Sequence, residues 1–474
     1  MSGLHIIKCC LLQGGDTIKL NDILSRITES DRISVEDPDS APELLVDAVI
    51  RGNKLFFEGS TPVIKMILHY QRISRNEALA FICGHLDDKS QIIVPNRHIE
   101  EALKRLQYMA RRQIDLSADF WKAQMYVNLS CGIYDILQQK LVPVHGEFKF
   151  DYVVDIKYRP HSTLEEAPRF KEYVETSVGM EQYQCLLRTL GYALSSLTKA
   201  RKCCVILGRP KVGKSCILDL LESVLKGDLV SHESFDRMGT ERAKAKYIGR
   251  KVNISRETNT KPNKNADSFK SLISNERTTG EEKYEIQKSF IPTLFFIFAG
   301  NVDIEFAKEC LDDAVIDRLY YIIYDKEIPA DKIDLALDKK LWNERDTIFS
   351  LALDSLKDLI EDNYDFKEGP AAVEHLKHKR YLIHTVESFL TERCTISESG
   401  KVSSTALYEA YVAFCRANAL TPESDKSFYG KVKAFTPSIR RGRASDINGN
   451  LVRGFHGLAL IGEEHQVTDE ESDE

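Results

Sequence analysis

The segment KCCVILGRPKVGKSCILDLLESVL, residues 202–225, leaves the chain fewer folding options than any other stretch of its 474 residues. Cys204 to Leu207 form a compact apolar run typical of a buried strand. Gly208 to Ser215 match G-x-x-x-x-G-K-[ST], and Ile217, Leu220, Leu221, Val224 and Leu225 then repeat on one helical face. Strand, loop and helix stand in the order that a phosphate cradle requires. Glycines let backbone N–H groups curl around phosphate oxygens, and the helix N-terminus adds partial positive charge. Gly208, Arg209, Pro210, Lys211, Val212, Gly213, Lys214 and Ser215 are therefore expected to bind a nucleoside triphosphate, with Lys214 on the terminal phosphates and the Ser215 hydroxyl on magnesium. The expected cofactors are ATP and Mg2+.

Hydrolysis needs more than a cradle, and three candidates follow within about a hundred residues. In GRKVNISRETN, Val252 and Ile254 mark a strand with Glu257 just past its end, where a carboxylate can orient the attacking water and reach magnesium through water. In PTLFFIFAGNVD, a strongly apolar strand ends at Asn301, a neutral group suited to fixing that water or the terminal phosphate. In LDDAVIDRLYYIIY, Arg318 precedes another apolar strand; donated to a neighbouring subunit's nucleotide, it would act as a finger. Lys214, Glu257, Asn301 and Arg318 thus make up the candidate catalytic set.

Composition sets the surroundings. A hydrophobic fraction of 43% and a charged fraction of 29% are those of an ordinary globular chain long enough for about three domains, and no apolar run reaches the length of a membrane span. The opening MSGLHIIKCCLLQGG is too short and weakly flanked in its apolar patch for a secretory signal, so a cytoplasmic protein is expected, without a membrane partner. Eleven cysteines include no C-x-x-C, which removes zinc-ribbon and thioredoxin-type chemistry and leaves packed, reduced thiols. The net charge of -7 comes from the end of the chain: the last thirteen residues, GEEHQVTDEESDE, hold seven acids and no Lys or Arg, so residues 1–461 are formally neutral. Residues 426–461 carry seven Lys or Arg against one Asp, a basic patch beside an acidic tail expected to be disordered.

Along the chain, ITESDRISVEDPDSAPE reads as a polar loop. PNRHIEEALKRLQYMARRQ places Ile99, Leu103, Leu106 and Met109 on one face of a helix. QMYVNLSCGIYDILQQKLVPV and FDYVVDIKYRP read as short strands, and LEEAPRFKEYVETSVGMEQYQCLLRTLGYALSSL as helix. Ile348, Leu351, Leu356 and Leu359 mark helices read as a lid over the nucleotide. KRYLIHTVESFLTERC, TALYEAYVAFCRA and SDKSFYGKVKAF read as three helices before a hairpin at DINGN, where Asn448-Gly449 is a strong turn signal. Three helices and a basic hairpin suggest a winged helix. Lys431 and Lys433 on its third helix, with Arg440, Arg441, Arg443 and Arg453 on the wing, suit duplex phosphates; a protein-docking wing fits the same residues.

LGRPKVGKS, KVNISRET, FKSLISNERTTGEEKYEIQKSF and LFFIFAGN, taken in order, resemble the successive motifs of superfamily 3 helicases. The resemblance is to the phage and plasmid primase-helicase family, whose helicase half resembles the poxvirus replication helicase; it covers residues 115 to 460. It implies an α/β fold: a mixed α/β N-terminal region of unknown role (1–115), a pre-ATPase collar or linker domain (116–190), an AAA+-type P-loop ATPase core (191–330), a helical lid (331–375), a winged-helix DNA-binding domain (376–461) and the acidic tail (462–474). It also gives a meaning to TTGEEKYEIQKSF, Thr278–Phe290, which alone reads as a solvated hairpin. In such helicases this segment projects into the channel of a hexameric ring, and Lys283 matches the lysine that grips single-stranded DNA, with Lys288 and Tyr284 as weaker candidates. A cation on the backbone suits sequence-independent translocation, and Glu281, Glu282 and Glu285 can pair with adjacent hairpins.

The chain departs from the family pattern in three places: Arg209, Pro210 and Lys211 stiffen the loop, Ser255 and Arg256 stand where a paired acid would precede Glu257, and Asp317 precedes Arg318 where an Arg pair is common. The expected function is an ATP-driven, ring-forming DNA helicase or replication initiator of a phage, plasmid or other mobile element. Its expected partners are single-stranded and duplex DNA and further copies of itself in a hexamer. A separate primase is an open partner, and 3' to 5' translocation follows from the family alone. The alternative is a DNA-binding AAA+ assembly switch or docking protein without unwinding. Intrinsic primase activity is disfavoured, because two-metal chemistry needs clustered carboxylates held by regular structure and the pair Asp37 and Asp39 sits in a polar loop with no strand to hold it.

Overall fold

The computed structural model describes residues 17–143, 148–258, 262–281, 287–307, 310–328, 334–445 and 449–461, without the side chains of 17–19 and 117–119. The chain divides into two units. One runs to Glu305 and resumes over Tyr321–Glu368; the other comprises Phe306–Tyr320 and the chain from Gly369 onward.

The first unit begins with a small α+β layer. Helix α1 (Ala41–Gly52) buries Leu45, Val46 and Val49 and is stopped by Asn53, whose φ of 49° places it in the left-handed region that ends helices. Strands β1 (Leu55–Glu58), β2 (Thr61–Lys65) and β3 (Tyr70–Arg72) form an antiparallel meander. Helix α2 (Asn96–Tyr108) presents Ile99, Ala102, Leu103 and Leu106 to the same core. The polar loop holds a short 3-10 turn, Pro38–Ser40, in which Asp37 accepts a hydrogen bond from Asp39 N at 3.1 Å. The acid pair therefore has a local capping job.

Next come β4 (Tyr126–Leu129), β5 (Gly132–Asp135) and β6 (Lys140–Val142), again antiparallel. FDYVVDIKYRP, read as a strand, contributes one bridge to this sheet, Val154 to Leu129, although Phe150, Tyr152, Val154 and Ile156 are buried at every second position. Its alternation reports a half-buried extended segment, not ladder pairing. The stretch read as one helical region after Leu164 is also broken. Helix α3 (Pro168–Tyr173) runs into a π turn, Val174–Val178, which stops at Gly179 with φ 96°; α4 (Tyr183–Leu194) then begins after a 3-10 turn. Gly179 takes a backbone conformation that L side chains avoid, so the helix cannot run through it.

The centre of this unit is a mixed α/β layer around a parallel five-stranded sheet. Its strands are β7 (Cys203–Gly208), β8 (Val230–Ser231), β9 (Val252–Ser255), β12 (Phe295–Gly300) and β13 (Leu319–Tyr324), in the order β13-β7-β12-β9-β8. Registers are Gly300 with Leu207 and Phe298 with Ser255. Parallel strands covered on both sides are mostly apolar: β12 is apolar and buried throughout, and β9, also buried throughout, admits Asn253 because Ser231 and Glu233 satisfy its amide. Helix α5 (Lys214–Leu225) follows β7 and buries Ile217, Leu220, Leu221, Val224 and Leu225. Between β8 and β9 lies α6 (Glu241–Lys246), capped by Thr240. Strands β10 (Thr278–Gly280) and β11 (Lys288–Phe290) pair as the base of an antiparallel hairpin, Gly280 opposite Lys288.

The segment read as a lid is one 25-residue helix, α7 (Leu337–Glu361), whose Ile348, Leu356 and Leu359 are core residues packed against α4. At the crossing a Cβ on Gly191 would stand 2.2 Å from Ala352 O, so no larger residue fits. Only the first turn of α7 reaches the mouth of the cleft described below.

In the second unit, KRYLIHTVESFLTERC is not one helix. His384 (φ -119°, ψ 48°) separates α8 (Pro370–Ile383) from α9 (Thr385–Arg393), and Cys394–Ser403 then form β14, which was not expected. The strand is mostly polar and carries a register shift between Ile396 and Lys401, which hides its period of two. Helices α10 (Ser404–Ala417) and α11 (Asp425–Phe435) follow. Then β15 (Arg440–Ser445) and β16 (Leu451–Leu460) complete a sheet in the order β14-β16-β15. Phe389, Tyr411, Phe414, Phe428, Phe455 and Leu458 form its core. Among the described residues no helix is long and apolar enough to cross a membrane.

Candidate functional site

Parallel pairing puts the ends of β7, β12 and β9 on one edge of the sheet, where open α/β folds take their ligands. The loops beyond Gly208, Gly300 and Ser255 therefore share one wall of a cleft of about 1870 Å³, closed elsewhere by the α3 segment, by Lys326–Ile328 and by the first turn of α7. Since β12 lies between β7 and β9, Asn301 comes between Lys214 and Glu257.

The loop is tightly built. Gly213 (φ 87°) starts α5, and a Cβ there would stand 2.9 Å from the Tyr173 ring; a Cβ on Gly208 would meet Tyr324 at 2.6 Å. Lys211 also has positive φ, 64°, a conformation costly for a residue that carries a Cβ and consistent with a loop fixed by its surroundings. Two buried tyrosines hold the loop from behind. Tyr173 Oη donates to Gly213 O at 3.2 Å and lies 2.6 Å from Tyr324 Oη. Burial, then the Tyr324 neighbour, pushes the Tyr173 phenol well up, so it stays a neutral hydrogen-bonder. No residue pattern joins this pair beyond the apolar run that Tyr324 ends.

Lys214 Nζ donates to Gly208 O at 2.5 Å, Arg209 O at 2.6 Å and Asn301 Oδ1 at 3.0 Å. Burial lowers its pKa. Two of the four sequence candidates thus meet directly. Glu257 is exposed on the same wall, its carbonyl accepting from Ser255 Oγ at 3.1 Å, and Thr258 Oγ1 donates to Val302 O, tying the loop after β9 to that after β12. Gly300 permits this tie: a Cβ there would stand 2.0 Å from Thr258 Oγ1.

Arg256 was read as a departure, and its guanidinium bridges Asp219 and Glu222 of α5. Burial alone would lower its pKa; the two carboxylates outweigh this and keep it raised. Arg209 pairs with Glu327. Among the described residues no group of three His, Cys, Asp or Glu side chains could hold a metal alone.

The other candidates lie elsewhere. Arg318 belongs to the second unit, where Nη1 donates to Ala314 O at 2.6 Å; its neighbour Asp317 pairs with Arg380 at 2.7 Å. Lys283, Glu282, Tyr284 and Glu285 lie outside the described residues. The hairpin base is described: Lys288 is exposed on β11, and β10 packs on α6 so closely that a Cβ on Gly280 would stand 2.5 Å from Ala245 N. Lys431 is ion-paired with Glu423 at 2.6 Å, whereas Lys433, Arg440, Arg441, Arg443 and Arg453 are exposed. Arg443 stands directly opposite Arg453 in the β15–β16 ladder. The acidic tail lies outside the described residues.

A family model described as "Family of unknown function (DUF5906)" matches residues 206–318. No curated protein matches the chain. Among solved structures, the chain is similar to the A form apo structure of the NrS-1 C-terminal region, at 10% identity and a TM-score of 0.51, with 88% of this chain and 99% of that chain covered. A second A form apo structure of that region gives 10% identity and a TM-score of 0.49, covering 88% and 100%. The chain thus has a fold like that of the NrS-1 C-terminal region, and the matched family model spans the stretch that bears Lys214, Glu257, Asn301 and Arg318.

Proposed function

We propose that this protein is an ATP-driven DNA motor of phage or mobile-element replication, a ring-forming superfamily 3 helicase with an AAA+-type core and a winged-helix C-terminal domain. The observation that carries the reading is the convergence on one sheet edge of a G-x-x-x-x-G-K-S loop, a carboxylate and a neutral amide, with Asn301 Oδ1 3.0 Å from Lys214 Nζ. A phosphoryl-transfer site needs a cation, a water-orienting acid and a polar group sensing the terminal phosphate, and these are the three side chains on the wall.

The chemistry follows from their properties. Backbone N–H groups of Gly208–Ser215 hold phosphate oxygens, and Lys214 exchanges its carbonyl partners for the terminal phosphate. Glu257 orients a water in line with that phosphate and Asn301 fixes the water or the phosphate itself. All donors are hard oxygens, from the Ser215 hydroxyl and the Glu257 carboxylate, which fits magnesium brought in with the triphosphate better than a protein-only cage. Magnesium, when bound, neutralises charge on the phosphates. Arg318 meets the nucleotide of the adjacent subunit, Lys283 grips the DNA strand on the hairpin, and the C-terminal unit places the ring on duplex DNA.

The deciding experiment offers purified protein a forked DNA with ATP. Strand separation that stops in Lys214→Ala is expected. Hydrolysis without any separation would replace this reading with an assembly switch, and no nucleotide binding at all would end both.

A further inference from the structure

Where a second acid would precede Glu257, the chain has Arg256, and the structure gives this cation two carboxylates from another element. Arg256 Nη1 meets Asp219 Oδ1 and Nη2 meets Glu222 Oε2. Both acids lie on α5, the helix that begins at Lys214, and Asp219 stands four residues after Ser215, one turn along the same face. Ser215, Asp219 and Arg256 all line the cleft. Glu222 is gripped from the other side as well, with His232 Nε2 at 2.8 Å, and its side chain is 24% exposed against 52% for Asp219. The trio keeps one net negative charge, and Asp219 is its open end.

We propose that Arg256 is a positioning residue that pins Asp219 to the cleft wall, where the Asp219 carboxylate serves as the outer-sphere acid for the divalent cation held by Ser215 and the nucleotide phosphates. This rests on the nucleotide-binding reading above. A small hard cation keeps several of its waters, and a carboxylate one turn beyond its hydroxyl ligand accepts a hydrogen bond from one of them. The carboxylate must be held still to do so. A planar guanidinium can take two carboxylates at fixed angles, which an ammonium cannot. The missing acid of the strand is supplied by the helix, and the same bridge fixes α5 to the end of β9, beside Glu257.

The test uses the full chain and follows binding of a fluorescent ATP analogue as Mn2+ is added, with a parallel arm in EDTA. Asp219→Asn and Arg256→Gln are each expected to raise the Mn2+ concentration for half-maximal binding about tenfold while leaving EDTA-arm affinity within about twofold, and Arg256→Lys to recover little. Wild-type binding with an unchanged Mn2+ midpoint in Asp219→Asn overturns this inference and leaves the nucleotide reading standing. An unchanged Mn2+ midpoint in Arg256→Gln also overturns it, because Asp219 would then need no guanidinium to hold it. Wild-type protein that binds no nucleotide overturns both.

Discussion

The cleft in the first unit and the basic strand pair in the second both gather cations, yet they hold them in opposite ways. At the cleft each central cation is committed: Lys214 to two carbonyls and Asn301, Arg256 to Asp219 and Glu222, Arg209 to Glu327. On β15 and β16, Arg443 faces Arg453 across the ladder, with Arg441 two pairs further along, and none of the three has an acidic partner among the described residues. Like charges directly opposite destabilise a sheet, a cost that exposure to water keeps small and that an anion bound from outside would lift. Fixed charge suits chemistry, which needs groups aimed before the reaction begins, whereas open charge suits a surface that meets phosphates in many registers.

The largest effects should come from the committed side. Lys214→Ala and Glu257→Gln are each expected to lower kcat for ATP hydrolysis by about 10²-fold or more, read as phosphate release. A residual rate near wild type in either would mean that the cleft is not the reaction site. On the proposed motor reading, Lys283→Ala should leave most basal hydrolysis intact while reducing unwinding of a forked substrate by about tenfold, because a grip on the strand is separate from the chemistry of the cleft. Unwinding that survives this change refutes the grip.

On the open side, Arg443→Ala with Arg453→Ala should lower duplex affinity at 0.1 M salt about tenfold and flatten the slope of log affinity against log salt by about 2. Lys431→Ala, whose ammonium already serves Glu423, should change affinity by less than about threefold. Equal losses in the two variants would erase the contrast drawn here. The smallest effect belongs to the support behind the loop: Tyr173→Phe removes the hydroxyl shared by Gly213 and Tyr324 and should cost about 1 kcal/mol, lowering Tm by a few degrees in a thermal melt.

Much of the cleft was legible because its chemistry is local in sequence. Gly208–Ser215 announce a loop by residue type and spacing, the strand ending at Gly300 by an unbroken apolar run, and the strand before Glu257 by the alternating Val252 and Ile254. Arg256 was legible only as an anomaly, since its partners lie 34 and 37 residues upstream on a helix whose polar face looked merely solvated. Tyr173 and Tyr324, 151 residues apart, carried no pattern that joins them. In the second unit the helices were read but β14 was not, because a polar strand with a register shift lacks the alternation that marks one.

By itself the sequence determined which side chains the cleft wall has and the order in which they follow one another, since glycines, a lysine and strand-end polar groups act through their own conformational and charge properties. The tertiary structure alone decided that β12 would insert between β7 and β9, and so that Asn301 would touch Lys214 and Arg256 would take its acids from α5. Strand order depends on which apolar faces pack best across long chain separations, and no local preference encodes that choice.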